Sequence, residues 1–234
     1  MVKLLTILIP VFNEAETILL VLNKIKKLDS ISSITNVVVI DDGSTDKTNQ
    51  ILLGHIDLFH VLITLEKNKG KGAAIIEGLK NVETEYVLIQ DADLEYDPSE
   101  IPRLWNLVQN NNMDLLMTSR ISGSPLTRVH YFWHRLGNQI ITLFFNLLHN
   151  TTFTDIYSGF IIFKRSLLGQ RRLLFKSWGQ QAEILSLLIQ KSEKNFETPI
   201  PYYGRTYAEG KKIRFSALFN VISAILITKI RGKF

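Results

Sequence analysis

The sequence predicts an α/β fold in which helices flank an open, mostly parallel sheet. Four short apolar segments, at 4–9, 37–40, 61–65 and 86–89, predict strands, and the continuous run at 4–9 is typical of a strand that is buried on both faces of such a sheet. Turn-forming residues follow these segments, and apolar residues at helical spacing follow the turns. Because short connections of this kind favour right-handed crossovers, the alternation indicates neighbouring parallel strands.

Helices are expected between these strands. Asn13 is placed to cap the first helix, whose apolar residues recur at helical spacing between positions 18 and 25. The second helix begins near Thr48, and the third covers 73–82. A further helix begins near Pro98 and leads into a fifth strand at 114–118.

The pattern changes after the Gly-Ser-Pro break at 123–125. The apolar stretch 136–148 predicts a helix that lies in the core or at an interface, and the core is favoured. A strand is expected at 161–163 and a helix from Gln180 onward. The segment 199–203 is typical of an edge strand or of extended chain, because prolines are confined to such positions.

The composition of the chain limits the kinds of site and partner that it can have. Its 234 residues, 46% hydrophobic and 21% charged, are typical of a globular protein with a packed core. The absence of cysteine excludes disulfides and thiolate metal sites, and it is compatible with the cytoplasm. A net charge of +5 favours anionic partners. Neither a convincing secretory signal nor a run of 18 apolar residues is present in the sequence.

Polar clusters follow each of the four predicted strands. In open parallel sheets, ligands bind beyond the carboxyl ends of the strands. The charged residues of these clusters are therefore expected to line one crevice, and they are Glu14, Asp41, Asp42, Lys71, Asp91 and Asp93. The alternative is that each cluster only forms turns and helix caps. Turn chemistry accounts poorly for the adjacent acids at 41–42 and for the Asp-X-Asp at 91–93, so a site is favoured.

Asp91 and Asp93 form the central motif of this crevice. Mg²⁺ and Mn²⁺ prefer oxygen ligands and commonly take one or two carboxylates together with substrate phosphates. The motif therefore predicts a site for Mg²⁺ or Mn²⁺ and a diphosphate. Arg120 follows the fifth strand, where its guanidinium could bind a phosphate or pair with Asp97 or Glu100 on the surface.

The last part of the chain combines an apolar run at 213–230 with basic residues on both sides. Basic residues beside an apolar helix suit an anionic membrane surface. Contact with a membrane or with a second copy of the chain is favoured over simple docking on the domain. Nucleic acid is not expected, because the basic residues are scattered and acids dominate the crevice.

Several ordered segments resemble the inverting nucleotide-sugar glycosyltransferases of family two, and among them the dolichyl- or polyprenyl-phosphate sugar transferases. The matching segments lie at 9–14, 39–46, 68–74, 90–93, 154–160 and 203–212. The resemblance implies a GT-A fold with a Rossmann-like sheet. It also implies a nucleotide-sugar-binding half at 1–120, an acceptor-side half of the same domain at 121–213, and an apolar C-terminal helix at 214–234.

The resemblance implies roles for individual residues. The donor nucleotide sugar would be held by Pro10, Phe12, Glu14, Asp41, Asp42 and Lys71, and Asp91 and Asp93 would bind the metal on its diphosphate. The acceptor would be held by Arg120, Arg135, Ser158 and Arg205. The residues expected to take part in catalysis are Asp93, Arg120 and Glu183.

The expected reaction moves a sugar from a UDP- or GDP-sugar to a polyprenyl or dolichyl phosphate at the cytoplasmic membrane face. A phosphate acceptor is already ionised near pH 7 and needs little general-base help, whereas a hydroxyl acceptor requires a base, for which Glu183 is the candidate. Transfer to a hydroxyl in cell-surface glycan synthesis is therefore the alternative. A non-catalytic nucleotide-sugar-binding protein is less favoured. Gln180 and Gln181 depart from the acidic or aromatic residues expected before Glu183.

Overall fold

A computed structural model describes residues 4–123, 132–169, 171, 173–176, 179–204 and 216–231. Within these residues the strands are β1 (Leu5–Val11), β2 (Thr35–Asp41), β3 (Val61–Thr64), β4 (Tyr86–Ile89), β5 (Leu115–Ser119), β6 (Ile161–Lys164) and β7 (Asn195–Pro199). The α-helices are α1 (Ile18–Lys26), α2 (Asp29–Ser32), α3 (Thr48–Leu53), α4 (Lys71–Leu79), α5 (Ile101–Asn110), α6 (Phe132–His149), α7 (Arg165–Leu168), α8 (Gln180–Ile189) and α9 (Ser216–Arg231).

All seven strands form one sheet in the order β3-β2-β1-β4-β6-β5-β7. Strand β1 pairs in parallel with β2 and β4, β2 pairs in parallel with β3, and β5 pairs in parallel with β7. Strand β6 runs antiparallel to both of its neighbours, β4 and β5. The predicted mostly parallel α/β sheet is therefore confirmed. Because β6 separates β4 from β5, the two halves of the chain share one continuous sheet.

The core lies on both faces of this sheet. Ile7 and Val39 pack on one face with residues of α1 and α5, whereas Leu8 and Val38 pack on the other face with residues of α4 and α8. This alternation explains why the central strands are apolar without interruption. Each fully buried aliphatic side chain contributes about 1.5–3 kcal/mol, so the central strands are strongly fixed. Their carboxyl ends then provide a rigid edge for a binding site.

The last strand differs from the sequence prediction. Strand β7 covers Asn195–Pro199 at the edge of the sheet, and the residues at 200–204 form no strand. Pro199 thus ends the edge strand instead of beginning it. The sequence of β7, Asn-Phe-Glu-Thr-Pro, has no apolar run because none of its five residues is buried. An edge strand of this kind gives little periodic signal.

Helices α6 and α9 pack against each other on the second face of the sheet. Phe145 of α6 is fully buried, whereas Leu143 and Leu147 are 59% and 74% exposed. The apolar segment predicted at 136–148 is therefore a helix with one core face and one exposed face. Among the described residues, the structure contains no helix of the length and hydrophobicity needed to span a bilayer.

Candidate active site

The carboxyl ends of β1, β2 and β4 lie side by side. Val11 is paired with Asp41, and Leu8 is paired with Ile89 directly before the Gln90-Asp91 segment. The polar clusters that follow these strands consequently meet along one edge of the sheet, as the sequence predicts. Pro10 is buried inside β1, whereas Phe12 is 38% exposed beyond the end of that strand.

The loops after β1 and β2 are joined through Asn13. Its Oδ1 accepts a hydrogen bond from the Thr45 main-chain N–H at 2.8 Å, and its own N–H donates to Ser44 Oγ at 3.0 Å. The predicted helix cap at Asn13 is wrong, because α1 begins only at Ile18 and Thr17 occupies the position before it. Asn13 instead adopts a positive φ of 55° and ties two strand ends together.

Glu14 follows in the same loop and is half-buried. Its main-chain N–H donates to Thr48 Oγ1 at 2.9 Å, and its Oε2 accepts from Thr17 Oγ1 at 2.8 Å. Thr48 is the first residue of α3, so this contact also connects the ends of β1 and β2.

Asp41 and Asp42 are both buried and organise the neighbouring loops. Asp41 accepts hydrogen bonds from the Ser44 N–H at 3.0 Å and from Asn49 Nδ2 at 2.8 Å. Asp42 accepts the N–H groups of Lys69 and Gly70 at 2.9 and 2.8 Å. Two main-chain donors on one carboxylate fix the loop that leads into α4. Asp42 thereby sets the start of the helix that carries Lys71.

Lys71 and Asp91 form an ion pair in the crevice. Lys71 is the first residue of α4, and its Nζ lies 2.5 Å from Asp91 Oδ1 just beyond β4. The two side chains are 44% and 20% exposed, so the pair borders the crevice and is not sealed in the core. The structure thus brings together two residues that are 20 positions apart in the sequence.

Asp93 completes the Asp-X-Asp motif. Asp93 is half-buried, its Oδ1 accepts the Glu95 N–H at 3.1 Å, and Ala92 between the two aspartates is buried. Carboxylate oxygens at the border of a crevice fit Mg²⁺ or Mn²⁺. In the part of the chain that the structure describes, no group of three or more His, Asp or Glu could hold a metal. Such an ion would therefore depend on ligands from the substrate or water in addition to these carboxylates.

The segment predicted to form the acceptor side approaches this motif at Gly159. A Cβ atom placed on Gly159 would lie 2.6 Å from the ring of Tyr96 and 2.8 Å from Asp91 Oδ2. The Gly159 N–H also donates to the Tyr96 hydroxyl at 2.7 Å. Only glycine allows this close approach, which places the loop before β6 directly against the end of β4.

Arg120 is held by Asp155 in a bidentate pair. Its Nε and Nη2 donate to the two carboxylate oxygens at 2.6 and 2.8 Å, and Asp155 is fully buried. Asn138 Nδ2 of α6 donates to the same carboxylate at 2.9 Å, and the guanidinium lies 5.1 Å from the centroid of the Tyr202 ring. Burial alone would raise the pKa of Asp155, but the charge and hydrogen bonds of Arg120 and Asn138 keep that pKa below its ordinary value.

This pair replaces the surface partners Asp97 and Glu100 considered for Arg120. Asp97 instead binds Lys24, and Glu100 binds Arg103. No hydrogen bond between described residues involves Arg120 Nη1. That edge of the guanidinium can therefore donate to another group while Asp155 holds the rest.

The other predicted acceptor residues are placed differently. Ser158 is fully buried, and its hydroxyl lies 2.5 Å from Thr118 Oγ1, so it supports the loop from inside. Arg135 is exposed on α6, about one turn before Asn138. Arg205 lies outside the described residues.

Glu183 has no exposed surface. Its carboxylate accepts the N–H groups of Leu174 and Phe175 at 2.8–3.0 Å, and Arg231 Nη1 lies 3.7 Å away. Burial raises the pKa of Glu183, although the two N–H groups and Arg231 act in the opposite direction. In this arrangement Glu183 anchors the segment before α8 and is not presented to the crevice.

Gln180 and Gln181 lie beside the Lys71–Asp91 pair. They line a small cavity together with Lys71, Ile75, Ile89, Gly159, Ile161 and Ile184. Gln181 Nε2 donates to the carbonyls of Ile156 and Ser158 at 3.0 and 2.6 Å. Gln180 is 97% buried and its Nε2 has no hydrogen-bond partner among the described residues. An acidic side chain at 181 could not donate to those carbonyls.

Sequence reasoning gave no role to Asp155, Asn138, Tyr96 or Tyr202. Asp155 was part of a recognised motif, which was the one available signal. In the sequence, Tyr96 and Tyr202 cannot be distinguished from ordinary aromatic core residues. In the structure, burial raises the pKa of the Tyr96 hydroxyl to about 12. Tyr202 donates to Glu95 Oε2 at 2.7 Å and so links the end of β7 to the segment after Asp93.

Residues 6–172 match the protein family described as Glycosyl transferase family 2. The chain is 30% identical over 202 residues to the low-salt glycan biosynthesis hexosyltransferase Agl6 of Haloferax volcanii, with 86% of this chain and 48% of that protein covered. It is also 30% identical over 203 residues to glycosyltransferase AglJ of the same organism, with 85% and 63% covered. The chain therefore spans about half to two thirds of the length of these relatives.

A shorter match covers 107 residues of the undecaprenyl-phosphate 4-deoxy-4-formamido-L-arabinose transferase of Salmonella choleraesuis. It is 34% identical and covers 44% of this chain and 33% of that protein. The name of this relative specifies a polyprenyl-phosphate acceptor for that protein.

Solved structures share the fold. Glucosyl-3-phosphoglycerate synthase of Mycobacterium tuberculosis, crystallised with Mn²⁺, UDP and phosphoglyceric acid, has a TM-score of 0.71 at 18% identity, with 97% of this chain and 78% of that chain covered. Staphylococcus aureus TarS with UDP has a TM-score of 0.67 at 22% identity, with 97% and 65% covered. These similarities confirm the expected GT-A fold.

Proposed function

The chain belongs to glycosyl transferase family 2, and from this premise we propose that it transfers a sugar from a UDP- or GDP-sugar to a polyprenyl or dolichyl phosphate. One observation carries the proposal: Gly159 brings the loop of the Arg120–Asp155 pair against Asp91. A cation able to bind an acceptor phosphate is thereby paired with the loop that borders the predicted diphosphate site.

On the donor side, we assign the nucleoside to the loops after β1 and β2. Pro10, Phe12, Glu14 and Asp41 would contact it, and Asp42 would act by fixing the loop before Lys71. Lys71 would contribute a positive charge to the diphosphate. Its 44% exposure and its position at the start of α4 support this role, because a helix N-terminus also favours anions.

Asp91 and Asp93 would hold a divalent cation, Mg²⁺ or Mn²⁺, which when bound supplies Lewis-acid stabilisation of the leaving diphosphate. The two carboxylates suit this ion by their chemistry, and Lys71 neutralises part of the charge at Asp91. Asp93 would therefore contribute to catalysis by holding the ion that stabilises the leaving diphosphate.

On the acceptor side, Arg120 would bind and orient the phosphate. Asp155 binds the Nε–Nη2 edge of the guanidinium, so the remaining Nη1 group is already oriented before an acceptor binds. Arg135 and Arg205 are assigned supporting contacts with the same phosphate. Ser158 would act indirectly, because its buried hydroxyl holds the loop.

The protonation state of the acceptor decides whether a base is needed. A phosphate monoester is ionised near pH 7, so attack on the anomeric carbon requires charge neutralisation and orientation more than proton removal. This requirement agrees with the buried position of Glu183. A hydroxyl acceptor in glycan synthesis is the alternative within the enzyme class, and it would need Glu183 to become accessible.

We place the protein at the cytoplasmic face of a membrane as a peripheral protein. The polyprenyl-phosphate acceptor requires proximity to lipid, and the exposed apolar faces of α6 and α9 are compatible with it. A homo-oligomer through the same faces is the competing arrangement.

A transfer assay tests the proposed reaction. Purified protein is incubated with a panel of UDP- and GDP-sugars, a polyprenyl phosphate, and Mg²⁺ or Mn²⁺. Replacing Asp93 by Asn should lower turnover by about 100-fold or more, because leaving-group stabilisation is lost. Asp57→Asn is the matched control, since this exposed carboxylate pairs with Lys26 away from the crevice. Undiminished turnover in Asp93→Asn would refute the metal assignment, and binding of a donor without transfer would support a non-catalytic binding protein.

Glu183→Gln separates the two acceptor classes. With a phosphate acceptor the variant should keep a near-normal rate, because no base is used. A large loss of rate with a hydroxyl acceptor, together with normal folding, would favour the alternative function.

A further inference from the structure

Helices α6 and α9 carry most of the exposed large apolar side chains found in the described residues. On α6 these are Phe132, Trp133, Ile140, Leu143 and Leu147. On α9 they are Phe219, Leu226, Ile227 and Ile230. The other seven exposed large apolar side chains lie on several different segments between Phe12 and Tyr203.

The exposed residues of α6 form a stripe opposite the face that enters the core. Ile140, Leu143 and Leu147 are separated by three and four residues and therefore lie on one side of the helix. The inward side is marked by Thr142 and Phe145, which are 4% and 0% exposed. Helix α6 thus buries one side in the core and exposes apolar side chains on the opposite side.

Helix α9 repeats this arrangement. Val221 and Ile225 are buried, whereas Phe219 and Ile230 are 67% and 62% exposed. Because α6 and α9 pack against each other, the two stripes are neighbours. We call them together the apolar face, defined by Phe132, Trp133, Ile140, Leu143, Leu147, Phe219, Leu226, Ile227 and Ile230.

The charged Lys, Arg, Asp and Glu residues within α6 and α9 have one sign, since they are Arg135, Lys229 and Arg231. The segments 115–154 and 210–234, which contain both helices, include three and six Lys or Arg residues and no Asp or Glu. The whole chain has 27 basic and 22 acidic residues, so outside these segments the acidic residues outnumber the basic ones. The positive balance of the protein is therefore concentrated in the parts of the sequence that carry the apolar face.

We propose that the apolar face of α6 and α9 docks the protein on an anionic lipid bilayer. Apolar side chains enter the boundary between headgroups and acyl chains, while nearby Lys and Arg side chains contact lipid phosphates. A second copy of the chain fits this face less well, because a two-fold interface places like charges opposite each other. Charge complementarity thus favours lipid over self-association.

The docking surface is connected to the acceptor side of the crevice. Asn138, on the inward side of α6, donates to Asp155, which holds Arg120. The distance from the inward to the outward side of a helix is about 10–12 Å. Docking through α6 would therefore hold Arg120 close to the headgroup layer, where a lipid-linked phosphate resides; this step rests on the proposed function.

Vesicle flotation of the full chain tests the docking surface. The protein should float with phosphatidylcholine vesicles that contain phosphatidylglycerol, and binding should weaken with added salt or with phosphatidylcholine alone. The variant Ile140→Gln/Leu143→Gln/Leu147→Gln should bind at least about tenfold more weakly, because three apolar side chains are lost from the stripe. A matched control is Leu53→Gln/Ile56→Gln, which alters residues that are 61% and 68% exposed outside α6 and α9 and should leave flotation unchanged.

Trp133 provides a second readout that does not depend on the triple variant. It is 76% exposed, so its fluorescence should shift to shorter wavelength with anionic vesicles, and this shift should be absent in Trp133→Leu. Equal flotation of the triple variant and the wild type, or no preference for anionic lipid, would overturn the proposal. A wild-type dimer without lipid that the triple variant converts to a monomer would assign the face to self-association instead.

Catalysis and docking are separable in this design. The Asp93→Asn variant should float like the wild type even though it fails to turn over. If the wild type transfers sugar to a water-soluble phosphate acceptor but does not float, the docking inference alone is wrong. If it floats but transfers no sugar, the proposed function alone is wrong.

Discussion

The proposed donor and acceptor sides of the crevice are built in different ways. On the donor side, Lys71 and Asp91 occupy the ends of elements whose neighbours are set by parallel strand pairing. On the acceptor side, Arg120 depends on side chains from two other segments, Asn138 on α6 and Asp155 before β6. Parallel strand pairing therefore places the first group at one edge, and Asp42 fixes the loop before Lys71. The second group requires side-chain contacts between three segments of the chain. Variants that break one side without the other test this difference.

The largest effect is expected at Asp155. Asp155→Asn removes the only buried negative charge that binds Arg120 among the described contacts, which should destabilise the fold by about 3–5 kcal/mol. In the folded fraction, the KM for the acceptor should rise while nucleotide affinity changes little. Chemical unfolding and isothermal titration with UDP or GDP measure these two outcomes.

Asp57→Asn serves as the control for loss of an ion pair, because Asp57 and Lys26 are both exposed. It should behave like the wild type in both measurements. Equal weakening of donor and acceptor binding in Asp155→Asn would show that the two sides are not independently built.

A buried histidine of α6 is expected to make the fold sensitive to acid. His149 is buried, stacks on Phe145 with a centroid distance of 4.4 Å, and has no hydrogen-bond partner for either ring nitrogen among the described residues. Burial, with a smaller contribution from Lys229, lowers the pKa of His149 to about 4 from 6.5. Between these values the unfolded chain binds more protons than the folded one, so acidification favours unfolding.

The stability attributable to neutral His149 should accordingly be present above pH 6.5 and decline as the pH falls towards 4, by about 3 kcal/mol in total. Chemical unfolding at a series of pH values measures this slope. His149→Phe should flatten it and keep the stacking position filled. An unchanged slope in the variant would mean that other groups cause the acid sensitivity.

A variant on the proposed donor side should change nucleotide affinity and not the acceptor KM, which is the reverse of the result expected for Asp155→Asn. Asp42→Asn keeps the shape of the side chain but removes the charge that receives the N–H groups of Lys69 and Gly70, at a cost of about 2 kcal/mol. The loop before Lys71 should loosen, so nucleotide affinity should fall while the acceptor KM stays constant. Asp57→Asn is again the control, because the ion pair of Asp57 with Lys26 is exposed and lies outside these loops. A change confined to the acceptor KM would contradict the assignment of Asp42 to the donor side.

The sequence predicts the proposed donor side of the crevice better than the proposed acceptor side. Apolar strands followed by polar clusters predicted a parallel sheet and placed Lys71 and Asp91 in one crevice, because parallel strands bring their carboxyl ends to one edge. The Arg120–Asp155 pair was not predicted, since the two residues lie 35 positions apart and meet only after β6 inserts antiparallel between β4 and β5. Nothing in local periodicity encodes that insertion.

Errors in the sequence prediction also have physical causes. Asn13 has the chemistry of a helix cap, but the same amide binds the Thr45 loop once β1 and β2 are paired. Strand β7 was misplaced because its edge position leaves it without an apolar run. The roles of residues in the crevice stay predictions, and the strand ends support those on the donor side more directly than those on the acceptor side.

The smallest effect is expected for substitutions of Gln181, which test whether this side chain positions the neighbouring loop or only packs against it. Gln181 donates to the carbonyls of Ile156 and Ser158, and Gln181→Glu would place a negative charge against both oxygens. Because Gln181 is partly exposed, the stability loss should be only about 1 kcal/mol. The loop that carries Asp155 and Gly159 should nevertheless shift, so the acceptor KM should rise several-fold at unchanged nucleotide affinity.

Gln181→Met is the matched control for size, since it removes the donor without adding a charge. Its acceptor KM should lie between those of the wild type and Gln181→Glu, because the two carbonyls lose their donor but meet no repulsion. If both variants lower stability but leave the acceptor KM unchanged, Gln181 contributes only to packing of α8. A graded rise in KM that is already present in Gln181→Met would instead place the amide in the network of the proposed acceptor side, because that variant adds no charge.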